Sequence, residues 1–433
     1  MKVLHFLPWY SPRTKGGTEV FLLGLAKLQR QHGDQVEIIA PNRDRSVAYD
    51  DIDGIKVTYF PSPIHGTGHQ LPGNPSWIDA HQAFMSSVEA FDPDAIHMHN
   101  VHYFYSSFVR DIAAAHRIRL CLTMHLLNVV CPNETLITES GELCTRNVAF
   151  STCARCIGAQ RNRSKVGATA DAVSIAASAF SMRRWNSVFL ATRIPYQRGI
   201  VEQEWLLDFL RANVHVDVLT PWFRTVLLQN GFDANRIRLR PNPLLDPERF
   251  TPRSPRVDRS RKMSFVFVGR LSTEKGLWLL IAALRALADL KGEFQLTFFG
   301  RQDEPVIVEA LEELRNAAFS INVAGEAPHA EVMRSLREAS YLVFPSSGAE
   351  MAPLVVQEAL QNEIPVIAAD LPSAAAFIRP GLNGLLFRRN DAHDLARVLR
   401  SVIEEKRIIH FGFTPIEDLE NTVYSHYCAL YAA

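Results

Sequence analysis

The sequence predicts an α/β protein built from two doubly wound domains, each a parallel sheet covered by helices on both faces. Short, continuous apolar runs rich in β-formers alternate with helical patterns twice along the chain. A stretch dense in proline and charge separates the two series, and glycines and charged residues cluster in the loops that follow strands. Strands that read as unbroken apolar runs are buried on both faces, as in sheets covered by crossover helices. In such domains ligands bind beyond the C-terminal ends of the strands, so a cleft shared by the two sheets is the expected site.

In the first series "KVLHFL" leads through "PWYSPRTKGGTE" into the helical "VFLLGLAKLQRQ", and "DQVEIIA" follows as a strand. "DAIHMH" and "RLCLTMH" have the same compact character and both end on histidine. The region from about Lys165 to Arg211 is mostly helical by pattern; "VDVLT" is a strand, and the helix "PWFRTVLLQNGF" closes on Asn230 and Gly231. The segment "LRPNPLLDPERFTPRSPRVDRSRK" has no apolar period and reads as the interdomain linker. The second series runs from "MSFVFVG" through "FQLTFFG", "SINVAG" and "YLVFPS" to "PVIAAD", with helices between. The expected organisation is a first domain over 1–243, a second over 244–410, and a terminal helix over 411–433 that packs back on the first.

Composition narrows the class. The 433 residues suffice for two or three domains with substantial cores. Equal numbers of basic and acidic side chains, 46 of each, give no electrostatic bias toward nucleic acid or an anionic membrane. No apolar run approaches the roughly 20 residues that span a bilayer. The N-terminal "MKVLHFLPWYSP" reads as a first strand instead of a signal peptide, so a cytoplasmic location is expected.

Several loops carry candidate chemistry. "FVFVGRLSTEKGLWLL" places Arg270 at a strand end and Lys275 before a helix. With that helix N-terminus they can converge on an anion such as a diphosphate, with Gly269 and Gly276 allowing close backbone approach. A surface turn neutralised by Glu274 is the structural alternative. In "SSGAEMAPLVVQEAL" proline at 353 marks a helix start. Glu350 then lies in the loop, Glu358 more than a turn inside, and the amides of Met351, Ala352 and Leu354 at the helix mouth beside Pro353. Two carboxylates flanking exposed amides suit a phosphate with hydroxyl-bearing groups on either side. The structural alternative is that Glu350 caps the helix and Glu358 is solvated. "RTKGGTEV" adds the pair Gly16 and Gly17, which does not match the dinucleotide-binding glycine pattern.

Together these segments resemble the retaining glycosyltransferases of family 4. "GRLSTEKG" and "EMAPLVVQEAL" are the strongest matches; "KVLHFLPWYSPRTKGGTEV", "DPDAIHMHN" and "RLRPNPLLD" fall at further landmarks in the family's order. The resemblance implies the GT-B fold, two Rossmann-like domains with parallel sheets facing across a cleft. It implies that Arg270 and Lys275 bind the diphosphate of a nucleotide-sugar donor, that Glu350 contacts the transferred sugar, and that Glu358 holds the ribose. Gly16, Gly17, Gly269 and the amides of residues 351–354 would lie against the donor, and His125 would contact the sugar near the reacting carbon. No metal is implied in catalysis, and the acceptor is a hydroxyl on a glycan, a lipid-linked molecule or a small molecule. Many members place aspartate after this histidine; here the residue is Leu126.

A separate constellation lies in "CPNETLITESGELCTRNVAFSTCARC", where Cys131, Cys144, Cys153 and Cys156 are candidate ligands of a structural zinc ion. The alternatives are free thiols, as expected in a reducing compartment, or disulfides in an oxidising one. Cys121 and Cys428 read as core. His97, His99 and His102 read as a strand end entering a polar region, not a metal site. The basic, partly apolar stretch "RNRSKVGATADAVSIAASAFSMRRWNSVF" is a candidate peripheral membrane contact at the inner face of the membrane or an ordinary helical face. Two further readings of the whole remain beside transfer: a nucleotide-sugar epimerase of the same fold, and an inactive relative that binds a glycan or a protein.

Overall fold

The computed structural model describes all residues except 10–15, 43–45, 63–74, 116–117, 162–194, 241–261, 413–418 and 433. Most of the proline-rich linker and the basic stretch after residue 161 therefore lie outside the described residues. The chain divides into two compact units, Met1–Leu245 with Asp418–Ala433, and Asp246–Glu417.

The first unit holds an eight-stranded sheet ordered β3-β4-β2-β1-β5-β6-β7-β8. Its strands are β1 (Lys2–Phe6), β2 (Gln35–Asn42), β3 (Ala48–Ile52), β4 (Ile55–Pro61), β5 (Ala95–His99), β6 (Arg119–Met124), β7 (His215–Val218) and β8 (Ile237–Leu239). All pairs are parallel except β3 with β4. The expectation of a purely parallel sheet is corrected at this edge, and the reason is local. Asp53 and Gly54 both take positive φ, 53° and 82°, in a two-residue turn that fits the right-handed twist of a hairpin. Helix α1 (Gly17–Gln31) buries Phe21, Leu22, Leu25, Ala26 and Leu28 on one stripe. Two layers of core result. Leu22 and Ala26 pack with Val36, Ile38, Val57 and Tyr59, while Phe21, Leu25 and Leu28 pack with Val3, Ala95 and Cys121. The C-terminal helix Leu419–Ala432 completes the second layer with Val423, Tyr427, Leu430 and Tyr431.

The second unit holds six parallel strands: β9 (Met263–Val268), β10 (Phe294–Phe299), β11 (Ser320–Gly325), β12 (Tyr341–Phe344), β13 (Val366–Ala369) and β14 (Gly384–Phe387). Their order, β11-β10-β9-β12-β13-β14, is that of a doubly wound sheet. The chain winds outward from β9 in one direction and from β12 in the other. The loops leaving these neighbouring strands therefore diverge and open a crevice at the carboxyl edge, the place where such sheets bind ligands. The β12 side is backed by Val266, Leu336, Leu342, Val356, Ala359 and Val366, all buried.

Candidate active site

The crevice of the second unit gathers four of the sequence-selected residues. After β9 the chain passes through Gly269 and Arg270 into a one-turn helix over Thr273–Lys275, and helix Leu277–Arg285 follows from Gly276. Gly276 is left-handed, φ 74°, and a Cβ there would lie 1.9 Å from the Pro345 carbonyl oxygen. That glycine is thus required by the close passage of the β12 loop, a different reason from the ligand approach expected of it. Similarly, a Cβ on Gly300 would lie 2.0 Å from the carbonyl oxygen of Gly269. The ends of β9 and β10 thus meet backbone to backbone, while the Gly276–Pro345 approach and the Ser347 amide bonded to the Glu274 carbonyl hold the β9 loop against the β12 loop, with Lys275 opposite Glu350.

Lys275 Nζ donates to Glu350 Oε1 at 2.9 Å, and Ser346 Oγ donates to the same oxygen at 2.6 Å. Both charged side chains are partly buried. Glu350 does not cap the following helix, so that structural alternative is excluded. The helix runs Leu354–Gln361 with Pro353 as its cap residue, extended at φ −63° and ψ 116°, so the helix begins one position later than the sequence suggested. Met351 and Pro353 are buried, Ala352 and Leu354 partly so, and all four line the start of this helix. Its first amides have no acceptor within the helix. Glu358, in the second turn, is buried and not solvated; His329 Nε2 lies 3.1 Å from its Oε1. Arg270 stands apart from the Lys275 pair, bonded to Glu274 at 3.1 Å and Asp303 at 3.5 Å, and is half-exposed.

Gly16, Gly17 and His125 lie in the first unit. Gly16 is the cap of α1, with its carbonyl oxygen accepting from Val20, and Gly17 is the first helical residue. His125 follows β6. Its backbone N–H and that of Leu126 both donate to Asn100 Oδ1 at 2.8 Å. Asn100, fully buried with φ 66°, so fixes the loop that carries the histidine, while the Leu126 side chain is exposed.

Behind His125 is a network that sequence reading did not find. His5 on β1 and His97 and His99 on β5 share one sheet face with Thr123 of β6 and are all fully buried. His125 Nε2 lies 3.1 Å from His99 Nδ1, His99 Nε2 lies 2.9 Å from His5 Nδ1, and His5 Nε2 lies 2.7 Å from Gln29 Oε1. Gln29 Nε2 donates to the Tyr431 hydroxyl at 2.8 Å, which pairs with His97 Nδ1 at 2.9 Å; His97 Nε2 meets Thr123 Oγ1 at 2.8 Å. Burial disfavours the charged ring, lowering His5 to about 4 and His125 to about 3, with His97 and His99 also well below the usual value. His5, His97 and His99 bring ring nitrogens within 4.8 Å of one another, the spacing of a metal site. Their nitrogens, however, face each other or a neighbouring polar atom at hydrogen-bond distance, and the set is read as bonded neutral rings. The signals available in the sequence were the period-two pair His97 and His99 and a single glutamine in the apolar stripe of α1.

Cys131, Cys144, Cys153 and Cys156 are free thiols around a small hairpin closed by the bridge of Ile137 to Leu143 and the first turns of helix Phe150–Arg161. Among the described residues, no three of their sulfurs come within 4.8 Å of one another. The Leu136 amide donates to Cys131 Sγ at 3.4 Å, and the Asn133 and Thr135 amides bond it too. Burial pushes the thiols of Cys153 and Cys156 up to about 11. Cys121 is buried in the sheet, and Cys428 is partly buried on the terminal helix.

Comparison with known proteins agrees with this architecture. Residues 252–410 match the family described as glycosyl transferases group 1, and residues 16–183 match the glycosyl transferase 4-like domain. A D-inositol 3-phosphate glycosyltransferase of Thermobifida fusca is 29% identical over 181 residues, 38% of this chain and 41% of the relative. The chain matches only 41% to 51% of the length of the first three curated relatives. Among solved structures, a sucrose-phosphate synthase from Thermosynechococcus elongatus superposes with TM-score 0.66 over 100% of both chains at 16% identity. Anabaena HepE in complex with UDP superposes with TM-score 0.61 at 16% identity, over 94% of this chain and 91% of that one. No helix among the described residues is long and apolar enough to cross a membrane. Two stretches of the chain thus match glycosyl transferase domain families, a 4-like domain over 16–183 and group 1 over 252–410, and its two Rossmann-like sheets have the fold of its GT-B glycosyltransferase neighbours.

Proposed function

We propose that this chain is a retaining glycosyltransferase that moves a sugar from a nucleotide-diphosphate donor to a hydroxyl acceptor. The observation that carries the reading is the Lys275–Glu350–Ser346 cluster at the switch point of the second sheet, with Arg270 beside it and Glu358 on the adjoining helix. A likeness to HepE, which was solved with UDP, supports a nucleotide ligand for this fold.

In this reading Lys275 and Arg270 neutralise the diphosphate. The pair of Arg270 with Glu274 is exposed and contributes at most about 1 kcal/mol, so a doubly charged ligand displaces it readily. Glu350, released by Lys275, accepts from hydroxyls of the transferred sugar, and Glu358 accepts from the ribose. The bond from the anomeric carbon to the diphosphate oxygen breaks with its electrons on oxygen, where the two cations stabilise the growing charge. The acceptor oxygen bonds the same face of that carbon, and its proton passes to the departing phosphate. A glycan, a lipid-linked molecule or a small molecule serves as acceptor. The four cysteines are proposed to hold one structural zinc ion apart from this chemistry; amides directed at Cys131 are the arrangement that stabilises a metal-bound thiolate.

Thermal shift with UDP, GDP, ADP, TDP and CDP tests the donor site. One nucleotide at a hundredfold excess over its dissociation constant is expected to stabilise the second unit by about 2.7 kcal/mol, and Glu358→Ala to abolish the effect. No stabilisation by any of the five counts for an inactive binding protein. Stabilisation together with interconversion of free sugar nucleotides, and no transfer, counts for an epimerase.

A further inference from the structure

The donor-side reading of His125 leaves its ring unexplained in one respect: which nitrogen carries the proton. The buried network decides it. Gln29 directs its amide nitrogen at the Tyr431 hydroxyl, so its oxygen faces His5 Nε2. That oxygen can only accept, and His5 Nε2 must bear the proton. A neutral imidazole has one N–H, so His5 Nδ1 accepts, and the proton between His5 and His99 sits on His99 Nε2. By the same step His99 Nδ1 accepts from the N–H of His125 Nε2. Each ring passes the constraint to the next because none has room, or favourable surroundings, for a second proton.

We propose that Gln29 and Tyr431 are positioning residues that, through His5 and His99, lock His125 in the tautomer with its proton on Nε2 and the lone pair on Nδ1. His125 Nδ1 can then only accept a hydrogen bond, and the ring cannot donate from that nitrogen. The terminal helix, more than 300 residues away in sequence, thereby sets the chemistry of the His125 loop through this chain of rings. This inference rests on the transfer reading only for its consequence for turnover; the proton position follows from the resting protein.

The test is imidazole ¹⁵N spectroscopy of histidine-labelled protein without ligand, with the His125 signals identified by their loss in His125→Ala. The expected wild-type spectrum shows His125 protonated on Nε2 and bare on Nδ1. Gln29→Met removes the terminal acceptor and is expected to give His125 as a mixture of tautomers. Tyr431→Phe, which removes one oxygen, frees the amide and is expected to shift the mixture less. Release of nucleoside diphosphate from sugar nucleotides of the base that the thermal-shift panel selects is expected to fall on the order of tenfold in Tyr431→Phe and further in Gln29→Met, the scale of a misplaced reacting group. A wild-type His125 protonated on Nδ1, or an unchanged proton position in both variants, overturns the proposal. No release of nucleoside diphosphate by the wild-type protein from sugar nucleotides of any of the five bases, or full release by His125→Ala, counts instead against the transfer reading, since the spectrum decides the proton position by itself.

Discussion

Lys275 and Glu350 are 75 positions apart and meet where Gly276 lets the β9 loop pass close against Pro345 of the β12 loop. The proposed chemistry depends on that contact. Lys275→Ala is expected to lower turnover by roughly 10²–10³, the usual effect of removing one preorganised charge partner, with the melting temperature little changed. A variant with wild-type turnover would remove Lys275 from the mechanism. Gly276→Ala is expected to behave oppositely at the level of stability. Its φ of 74° and the Pro345 oxygen 1.9 Å from the new Cβ leave no unstrained solution. A loss of about 1–3 kcal/mol in urea unfolding is expected, and an unchanged midpoint would show that the β12 loop yields without cost. Glu358 illustrates what spacing could and could not reveal. Its place in the second turn follows from Pro353, but its burial and its His329 partner come from helix His329–Glu338, which no local pattern connects to it.

At the level of elements, the short hairpin of β3 and β4 was written in the chain as "DIDGI", an Asp-Gly pair between apolar residues, and required no tertiary help. Thr220 and Pro221 likewise define the start of helix Pro221–Gln229, since the threonine hydroxyl accepts from the Phe223 amide. The cysteine loop is different. C-x-x-C on a helix puts Cys153 and Cys156 on one face, yet where Cys131 and Cys144 stand depends on the hairpin between them. If the four hold zinc, the purified protein is expected to contain about one equivalent, released by the double change Cys153→Ser and Cys156→Ser. Elemental analysis without zinc in protein purified free of chelators, together with four reactive thiols, would discard the site. Binding must displace protons from thiols that burial holds near 11, so zinc uptake is expected to release protons and to weaken as pH falls.

Over the whole molecule the buried histidines couple stability to pH. Unfolded histidine takes up its proton below about 6.5, whereas His5 folded does so only near 4 and His125 near 3. The unfolded state therefore binds more protons in this window. Their contribution is fully present above about pH 6.5 and is lost as pH falls toward 4 and then 3. For His5 alone the loss is about 3 kcal/mol. Urea titrations from about pH 7.5 to about pH 5 are expected to show falling stability of the first unit, with a shallower slope in His5→Gln; a flat profile would mean that the rings are not held neutral. By itself the sequence determined the two alternating series, the places of Lys275, Glu350 and His125 in or beside loops, and that of Glu358 inside a helix. Those follow from short-range physics: side-chain periodicity, turn geometry and proline's fixed φ. Only the tertiary structure decided the strand order that opens the crevice, the close approach at Gly276 that brings Lys275 to Glu350, and the pairing of Gln29 with Tyr431 across 402 positions. Such pairings depend on which sheet faces and helices come together in space, and a buried polar atom records its partner only after the fold has removed water from around it.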